Sequence, residues 1–167
     1  MTSISNYELK FNEKENIYYV IALKPEKSTC PICRSELNPK GWPKRQTKLS
    51  GGEKITLKVR RYECRKCASF HRELPDMIVP YKRHCLETIE KIVAGAATDV
   101  CCEESTIRRI RVWWAAMQLY IKNALNSIKE RFEINLSAVK KPGEIVRALV
   151  NTHLWPSTRS ALMPREK

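Results

Sequence analysis

The clearest hydrophobic pattern in the chain is a long helical stripe in its second half. Between Ser105 and Phe132 there is no glycine or proline, and apolar residues recur at alternating spacings of three and four. The stripe consists of Ile107, Ile110, Trp114, Met117, Ile121, Ala124 and Ile128. Because an α-helix has about 3.6 residues per turn, this spacing places all of them on one face. The pattern predicts one amphipathic helix, roughly 40 Å long at 1.5 Å per residue.

Two shorter apolar stripes predict further helices on either side of the long one. The first runs from Arg83 to Ala94 and is followed by Gly95, a residue typical of helix C-termini. The second is expected from Pro142 to Val150. The final segment, from Trp155 to Ser160, is expected to be irregular.

The first two predicted helices are separated by a short polar stretch. The second of them begins Ser-Thr-Ile-Arg-Arg. This is the layout of a helix-turn-helix, whose second helix presents its first residues to the DNA major groove. We therefore expect Arg108, Arg109 and Arg111 to face DNA. The alternative is a plain helical hairpin whose arginines face water.

Alternation of apolar and polar residues predicts β-structure in the first half of the chain. In the segment from Ile55 to Arg60 every second residue is apolar, so one face of a strand would be apolar and the other basic. A strand from Lys44 to Leu49 and a turn at residues 50–53 complete a β-hairpin. A further strand is expected at residues 17–23. Residues 71–81 contain two prolines and are expected to form an extended linker.

Two C-x-x-C pairs enclose this hairpin. Cys30 and Cys33 form the first pair, and Cys64 and Cys67 form the second. Two such pairs can offer four thiolates to one tetrahedral zinc ion, so the spacing predicts a zinc ribbon with one structural Zn²⁺. The alternatives are buried thiols or a redox pair, and His71 is a competing ligand. Four protein thiolates leave no open position for water, so the site is not expected to be catalytic.

The predicted elements define an α+β fold class. A small zinc-ribbon β-hairpin module is followed by an all-α, helix-turn-helix-like region with one long helix. We expect three segments: residues 1–81 with the ribbon, an N-terminal strand and the proline-containing linker; residues 82–135 with the helix-turn-helix-like region; and residues 136–167 with a C-terminal helix and an irregular tail. Cys85, Cys101 and Cys102 have no second pair and are expected to be free or buried thiols.

The charge of the chain is concentrated on the hairpin. The formal net charge is +13, and residues 40–66 hold ten basic against two acidic side chains. Such a balance favours a polyanion as partner, nucleic acid first and an anionic membrane surface second. The candidate phosphate contacts are Lys44, Arg45, Lys48, Lys58, Arg60, Arg61, Arg65 and Lys66. The plain alternative is a solvated basic surface.

Neither export nor membrane insertion is indicated by the sequence. No run of about 18 apolar residues occurs, and Met1 to Lys10 lacks the layout of a signal peptide. The seven cysteines fit metal binding and free thiols in a reducing compartment better than a disulfide framework. We expect a cytoplasmic protein that does not enter a membrane.

The chain resembles an uncharacterised family of short bacterial zinc-ribbon proteins, and it is similar to the zinc-ribbon and helix-turn-helix front end of some insertion-sequence transposases. The resemblance rests on Cys30-Pro31-x-Cys33, Arg60-Arg61-Tyr62-x-Cys64-x-x-Cys67, His71-x-Glu73-Leu74-Pro75, residues 78–83, residues 102–109 and residues 155–160. It implies a cytoplasmic protein related to mobile elements or their regulators. The catalytic domain of such transposases has no counterpart here, since Asp76 and Asp99 are the only aspartates.

These observations lead to one main functional expectation and two alternatives. The main one is a non-catalytic, zinc-stabilised DNA-binding protein, transposase-associated or regulatory, whose partner is duplex DNA. The first alternative is a protein-interaction subunit that docks on a separate recombinase or polymerase. The second is an RNA-binding ribbon, because phosphate contacts do not distinguish the two polymers. The apolar stripe of the long helix is also compatible with a homodimer.

Overall fold

The computed structural model describes residues 1–23, 29–30, 32–132 and 141–156. These residues form a mixed α+β fold with two four-stranded sheets and three α-helices. The strands are β1 (Thr2–Ile4), β2 (Tyr7–Asn12), β3 (Ile17–Ala22), β4 (Asn38–Pro39), β5 (Lys44–Lys48), β6 (Lys54–Lys58), β7 (Arg61–Glu63) and β8 (Phe70–Pro75). The helices are α1 (Leu86–Val93), α2 (Glu104–Phe132) and α3 (Pro142–Asn151), with a short 3-10 helix at Ala97–Asp99.

The predicted hairpin belongs to the first sheet, which we call the basic sheet. Its strand order is β2-β3-β6-β5, and β5 pairs antiparallel with β6 across the predicted turn. Strand β3 confirms the expected N-terminal strand and lies parallel to β6. The inner face buries Val20, Leu57 and Val59, at 1%, 0% and 0% exposure. The face that the alternating pattern predicts to be apolar is therefore the buried face.

The second sheet, which we call the cysteine sheet, has the order β1-β8-β7-β4. Strands β7 and β8 form a second hairpin around the Cys64–Cys67 pair, and β1 lies parallel to β8. The expectation of one hairpin followed by an all-α region is therefore wrong, and part of the expected linker is a strand. Strand β8 escaped recognition because it buries His71 and Glu73, at 5% and 7% exposure, so it lacks the usual apolar alternation.

The helices share one hydrophobic core. The stripe of α2 packs within the chain, against α1, α3 and Trp155. It is therefore covered inside one chain, whereas Val112 and Leu119 on other faces of α2 are exposed. No helix in the described part of the chain is long and apolar enough to cross a membrane.

Both ends of α1 have a local explanation. The helix begins at Leu86 rather than Arg83, because Arg83 and Cys85 instead exchange backbone hydrogen bonds with Lys48. It ends as predicted before Gly95, whose φ of +91° is costly for other residues. Residues 94–103 then separate α1 from α2 and include the 3-10 helix, so the connection is longer than the turn of a standard helix-turn-helix.

The turn between β5 and β6, which together we call the basic hairpin, is fastened to this connection. The Ser50 carbonyl accepts a backbone hydrogen bond from Cys101 at 2.9 Å, and the Ser50 hydroxyl lies 3.0 Å from a Glu87 carboxylate oxygen. Gly52 has a φ of +92°, and a Cβ there would lie 2.8 Å from the Cys101 sulfur. Glycine is thus required for its backbone angle and for the close approach, which holds the hairpin tip beside the start of α2.

Candidate metal centre and candidate nucleic-acid interface

The two cysteine pairs lie in turns of matching construction. The Cys30 N–H donates to the Ser35 carbonyl at 2.7 Å, and the Cys64 N–H donates to the Ser69 carbonyl at 2.9 Å. Arg34, four residues after the first cysteine, has a φ of +60°. Ala68, at the same place in the second turn, has a φ of +53°. Each turn therefore folds back on itself, so that both of its sulfurs can reach one point.

The four sulfurs converge between the turns. Cys33 Sγ lies 3.4 Å from Cys64 Sγ, and Cys30 Sγ lies 3.6 Å from Cys67 Sγ. All four lie within 4.8 Å of one another. Tetrahedral coordination with metal–sulfur bonds of about 2.3 Å separates ligand sulfurs by about 3.8 Å. The four cysteines therefore have a geometry that could hold a metal ion.

The local hydrogen bonds prepare two of these thiols for ionisation. Hydrogen bonds from the side chain and backbone of Ser35 lower the pKa of Cys33 to about 6. Ser69 lowers the pKa of Cys67 in the same way. The C-x-x-C-x-S repeat is the sequence signal for both serines, and it was not among the predicted features.

Cys64 shows why a cation is needed to ionise all four thiols. A backbone hydrogen bond from Cys67 lowers its pKa, but burial and the neighbouring thiols outweigh this and raise the pKa to about 11. Four adjacent thiolates repel one another without a cation. Metal binding at this site must therefore release protons, and the affinity must rise with pH.

His71 stands beside the cysteine group and not within it. Its Nε2 lies 3.6 Å from Cys30 Sγ, and burial lowers the pKa of the imidazole, which favours the neutral form. A neutral His71 protonated at Nε2 can donate a hydrogen bond to the sulfur. Such second contacts orient the ligands of a metal. The structure therefore gives His71 a supporting position.

The other cysteines are placed separately. Cys85 is buried next to the Thr88 hydroxyl, and Cys102 Sγ lies 3.4 Å from His84 Nδ1. Cys101 is exposed and belongs to no group of potential metal ligands among the described residues. Across the described residues, the four paired cysteines are the one group of His, Cys, Asp and Glu side chains close enough to share an ion.

Several of the predicted phosphate contacts share the outer face of the basic sheet. Lys44 and Lys58 lie directly opposite each other, and so do Lys48 and Lys54. Lys54 was not among the predicted contacts, and its position opposite Lys48 becomes evident only once the register is known. Arg60 lies between β6 and β7, and its guanidinium carbon is 5.1 Å from the centre of the Trp42 ring.

Arg45 lies on the opposite side of the same strand. Its Nη2 donates to the Lys82 carbonyl at 2.8 Å, and its neighbour Thr47 on that face is 3% exposed. Strand alternation accounts for this, because Arg45 pairs with Leu57 and not with Lys58. The guanidinium of Arg45 ties the hairpin to the segment before α1.

The remaining basic residues of the hairpin region lie on or near the cysteine sheet. Arg61 donates to the Lys40 carbonyl at 3.1 Å and lies 5.1 Å from the Phe70 ring centre. Directly opposite it on β8 is Arg72. Arg65 and Lys66 are exposed in the turn between the second pair of cysteines. These residues extend the basic surface to the four-cysteine group.

The arginines of α2 are exposed near the tip of the basic hairpin. Arg108 and Arg111 face solvent, and Arg109 Nη2 lies 3.3 Å from the Thr106 hydroxyl. Burial, and then the positive charges of Lys48 and Arg109, lower the pKa of His84. The charges of the hairpin and of the first turns of α2 thus act on the same imidazole.

Comparison with known proteins finds one family model that matches part of this chain. Residues 30–110 match the model of a family described as a domain of unknown function, DUF6431. No curated protein and no solved structure matches the chain. The DUF6431 match begins at the first cysteine and ends in the second turn of α2, so it covers both the metal centre and the basic hairpin. Its description names neither zinc nor transposition, and the transposase resemblance stays a prediction.

Proposed function

We propose that this chain is a non-catalytic, zinc-stabilised DNA-binding protein. Cys30, Cys33, Cys64 and Cys67 hold the ion, and the donor set supports zinc, since four convergent thiolates are typical of its structural sites. The ion joins two turns that bury little apolar surface. Its contribution is to the fold, because binding free energy in such a module is folding free energy.

The polar groups outside this centre support a non-catalytic role. Four thiolates fill a tetrahedral site and leave no position for an activated water. Asp76, one of the two aspartates, is held in a 2.8 Å ion pair with Arg147 and accepts a hydrogen bond from Tyr7. This carboxylate fastens α3 to the sheets and is engaged in structural contacts.

The observation that carries the proposal of a polyanionic partner is a set of like-charged residues facing each other across strands. Lys48 opposes Lys54, and Arg61 opposes Arg72. A third pair, Lys44 and Lys58, is partly neutralised by Glu15, 2.7 Å from Lys58 Nζ. Like charges directly opposite each other destabilise a sheet, and a phosphate chain laid across them relieves that repulsion.

DNA is the polyanion we favour, with the hairpin contacting phosphates and the first turns of α2 contacting duplex. Arg108, Arg109 and Arg111 supply that second contact, beside the hairpin tip. On the residue resemblance given above, we place the protein among transposase-associated or regulatory DNA-binding proteins of the cytoplasm.

One observation favours the alternative of a protein-interaction subunit. Leu119 is 70% exposed and Val112 is 44% exposed, both on the outer side of α2. Apolar side chains of this exposure on a rigid helix suit a protein partner. RNA remains the second alternative, because the phosphate contacts proposed here suit either polymer.

Selection of bound sequences from a random duplex pool tests the proposal. The zinc-loaded protein is used at near-physiological salt, with Cys64→Ser beside it and Cys101→Ser as the matched control, since Cys101 is exposed and outside the metal centre. We expect an enriched motif with the native protein and the control, and none with Cys64→Ser. Duplex affinity that stays flat between low and physiological salt would contradict the proposed phosphate contacts.

A further inference from the structure

The outer face of the basic sheet carries aromatic rings among its basic side chains. Register places Lys10, Tyr19, Lys58 and Lys44 side by side across β2, β3, β6 and β5. Lys58 Nζ lies 4.7 Å from the Tyr19 ring centre, and it donates to the Tyr19 hydroxyl. This row therefore combines an aromatic surface with positive charge, part of which is neutralised by Glu15, 2.7 Å from Lys58 Nζ.

Trp42 extends the aromatic surface beyond the row. It lies just before β5, and its ring centre is 5.8 Å from that of Tyr19. The chain has four tryptophans. The other three, Trp113, Trp114 and Trp155, are 3%, 9% and 8% exposed, whereas Trp42 is only half-buried. Trp42 is thus the least buried tryptophan, and it lies beside the basic row.

Arg60 is held against Trp42 from the inside of the molecule. Its Nη1 donates to the Tyr62 hydroxyl at 3.3 Å, and that hydroxyl donates to the Glu73 carboxylate at 3.4 Å. Tyr62 and Glu73 are buried, at 6% and 7% exposure. A buried network therefore fixes the guanidinium against the tryptophan ring, and the ring and its cation do not have to be ordered when a ligand arrives.

From this arrangement we propose that the outer face of the basic sheet binds an unpaired stretch of nucleic acid, with a base stacked on Trp42 and the adjoining phosphates on Lys44, Lys58 and Arg60. The inference rests on the proposed function and names the form of nucleic acid that this face takes. In a duplex the base faces are covered by neighbouring base pairs and only the edges are accessible, so a ring lying on a sheet can stack only with an unpaired base.

Intrinsic fluorescence gives a direct test, because Trp42 is the one tryptophan that is not buried. Zinc-loaded protein is titrated with a 12-nucleotide oligo(dT) strand, an abasic strand of equal length and a blunt duplex. We expect quenching by oligo(dT) and little by the abasic strand. The wild-type protein serves for this comparison, so no variant has to fold.

The variant Trp42→Leu adds a second measurement. We expect its affinity for oligo(dT) to fall about 5- to 150-fold, the usual effect of losing one stacked base, with duplex affinity within about twofold. The matched control is Phe70→Leu. Phe70 is 55% exposed and also lies next to an arginine, but on the cysteine sheet, so its loss is expected to change oligo(dT) affinity less than about twofold.

The outcomes separate this inference from the proposed function. Equal affinity for abasic strand and oligo(dT), or an equal loss in both variants, would overturn the stacking site while duplex binding leaves the proposed function intact. Failure of every nucleic acid to bind at low salt would overturn both. Salt-sensitive binding of oligo(dT) that Trp42→Leu weakens and Phe70→Leu does not would establish the site.

Discussion

The cysteine end and the helical end of this molecule are stabilised by different means. At the cysteine end, the buried cluster is small: Cys30, Leu37, Tyr62 and Cys64. The helical core joins sixteen buried residues from α1, α2, α3 and neighbouring segments. A core of the first size offers little hydrophobic free energy, whereas one of the second size is typical of a folded domain. The four cysteines that could hold a metal ion therefore lie where the hydrophobic core is smallest.

Removal of the metal should have the largest effect, and it should be confined to the cysteine end. Structural zinc is worth about 10–16 kcal/mol in small zinc modules. In Cys64→Ser we expect loss of bound metal and unprotected amides in residues 29–40 and 61–75, with α2 still protected. Hydrogen exchange read by mass spectrometry checks this, with Cys101→Ser as control. Equal loss of protection in α2 would show that the two ends fold as one unit.

Truncation in the helical core should show the reverse pattern. Leu149 is fully buried at 0% exposure, and its change to alanine is expected to lower the free energy of unfolding by about 2–5 kcal/mol while one metal ion stays bound. Leu119→Ala, at a 70% exposed position, is expected to stay within about 0.5 kcal/mol of the native protein. Denaturant unfolding with metal analysis measures both. Loss of metal in Leu149→Ala would count against separate stabilisation.

A half-buried lysine beside the helical core should make stability depend on pH. Burial lowers the pKa of Lys82 to about 8, and its Nζ lies 3.7 Å from the Trp113 ring centre. In the unfolded chain this lysine has its ordinary pKa of 10.5. It therefore still holds its proton above pH 8. Unfolding therefore takes up a proton in this window, and the free energy of unfolding should rise as pH increases from 8.

The variant Lys82→Met isolates this contribution. We expect its free energy of unfolding to change less between pH 7.5 and pH 9.5 than that of the native protein, measured by denaturant titration at fixed ionic strength. The range stops below pH 10 because Tyr7 has the opposite effect on stability at higher pH. Burial raises the pKa of Tyr7 from 10 to about 12, so above pH 10 its ionisation favours the unfolded chain. Parallel profiles for the two proteins would contradict the assignment to Lys82.

The smallest expected effect concerns the basic sheet. Lys54→Gln removes one member of a like-charged pair, so we expect the free protein to gain about 0.2–1 kcal/mol at low salt and to bind DNA less tightly. Lys14→Gln, a change in the turn between β2 and β3, is the matched control. Thermal unfolding at two salt concentrations, with a DNA titration, checks both signs. A loss of stability in Lys54→Gln would mean that Lys54 contributes to the fold.

The two ends also differ in how far they could be predicted. The four cysteines, the basic hairpin and the long helix follow from local patterns, namely paired spacing, alternation and a helical stripe. Strand β8 and the β1–β8 pairing do not, because a strand that buries His71 and Glu73 carries no apolar alternation. Arg45 and Lys44 are consecutive basic residues, so composition does not distinguish them. Only the register of the strand shows that their side chains point to opposite faces of the sheet.

The paired spacing of the cysteines and the concentration of basic residues between positions 40 and 66 could be recognised from the chain alone, because spacing and net charge are local properties. The tertiary structure decided how those pieces meet. It divided the strands between two sheets, set Lys48 opposite Lys54, and brought the hairpin tip to the start of α2 through Gly52 and Cys101. These contacts join residues far apart in the chain, and such pairings depend on which faces can be buried together rather than on any local pattern.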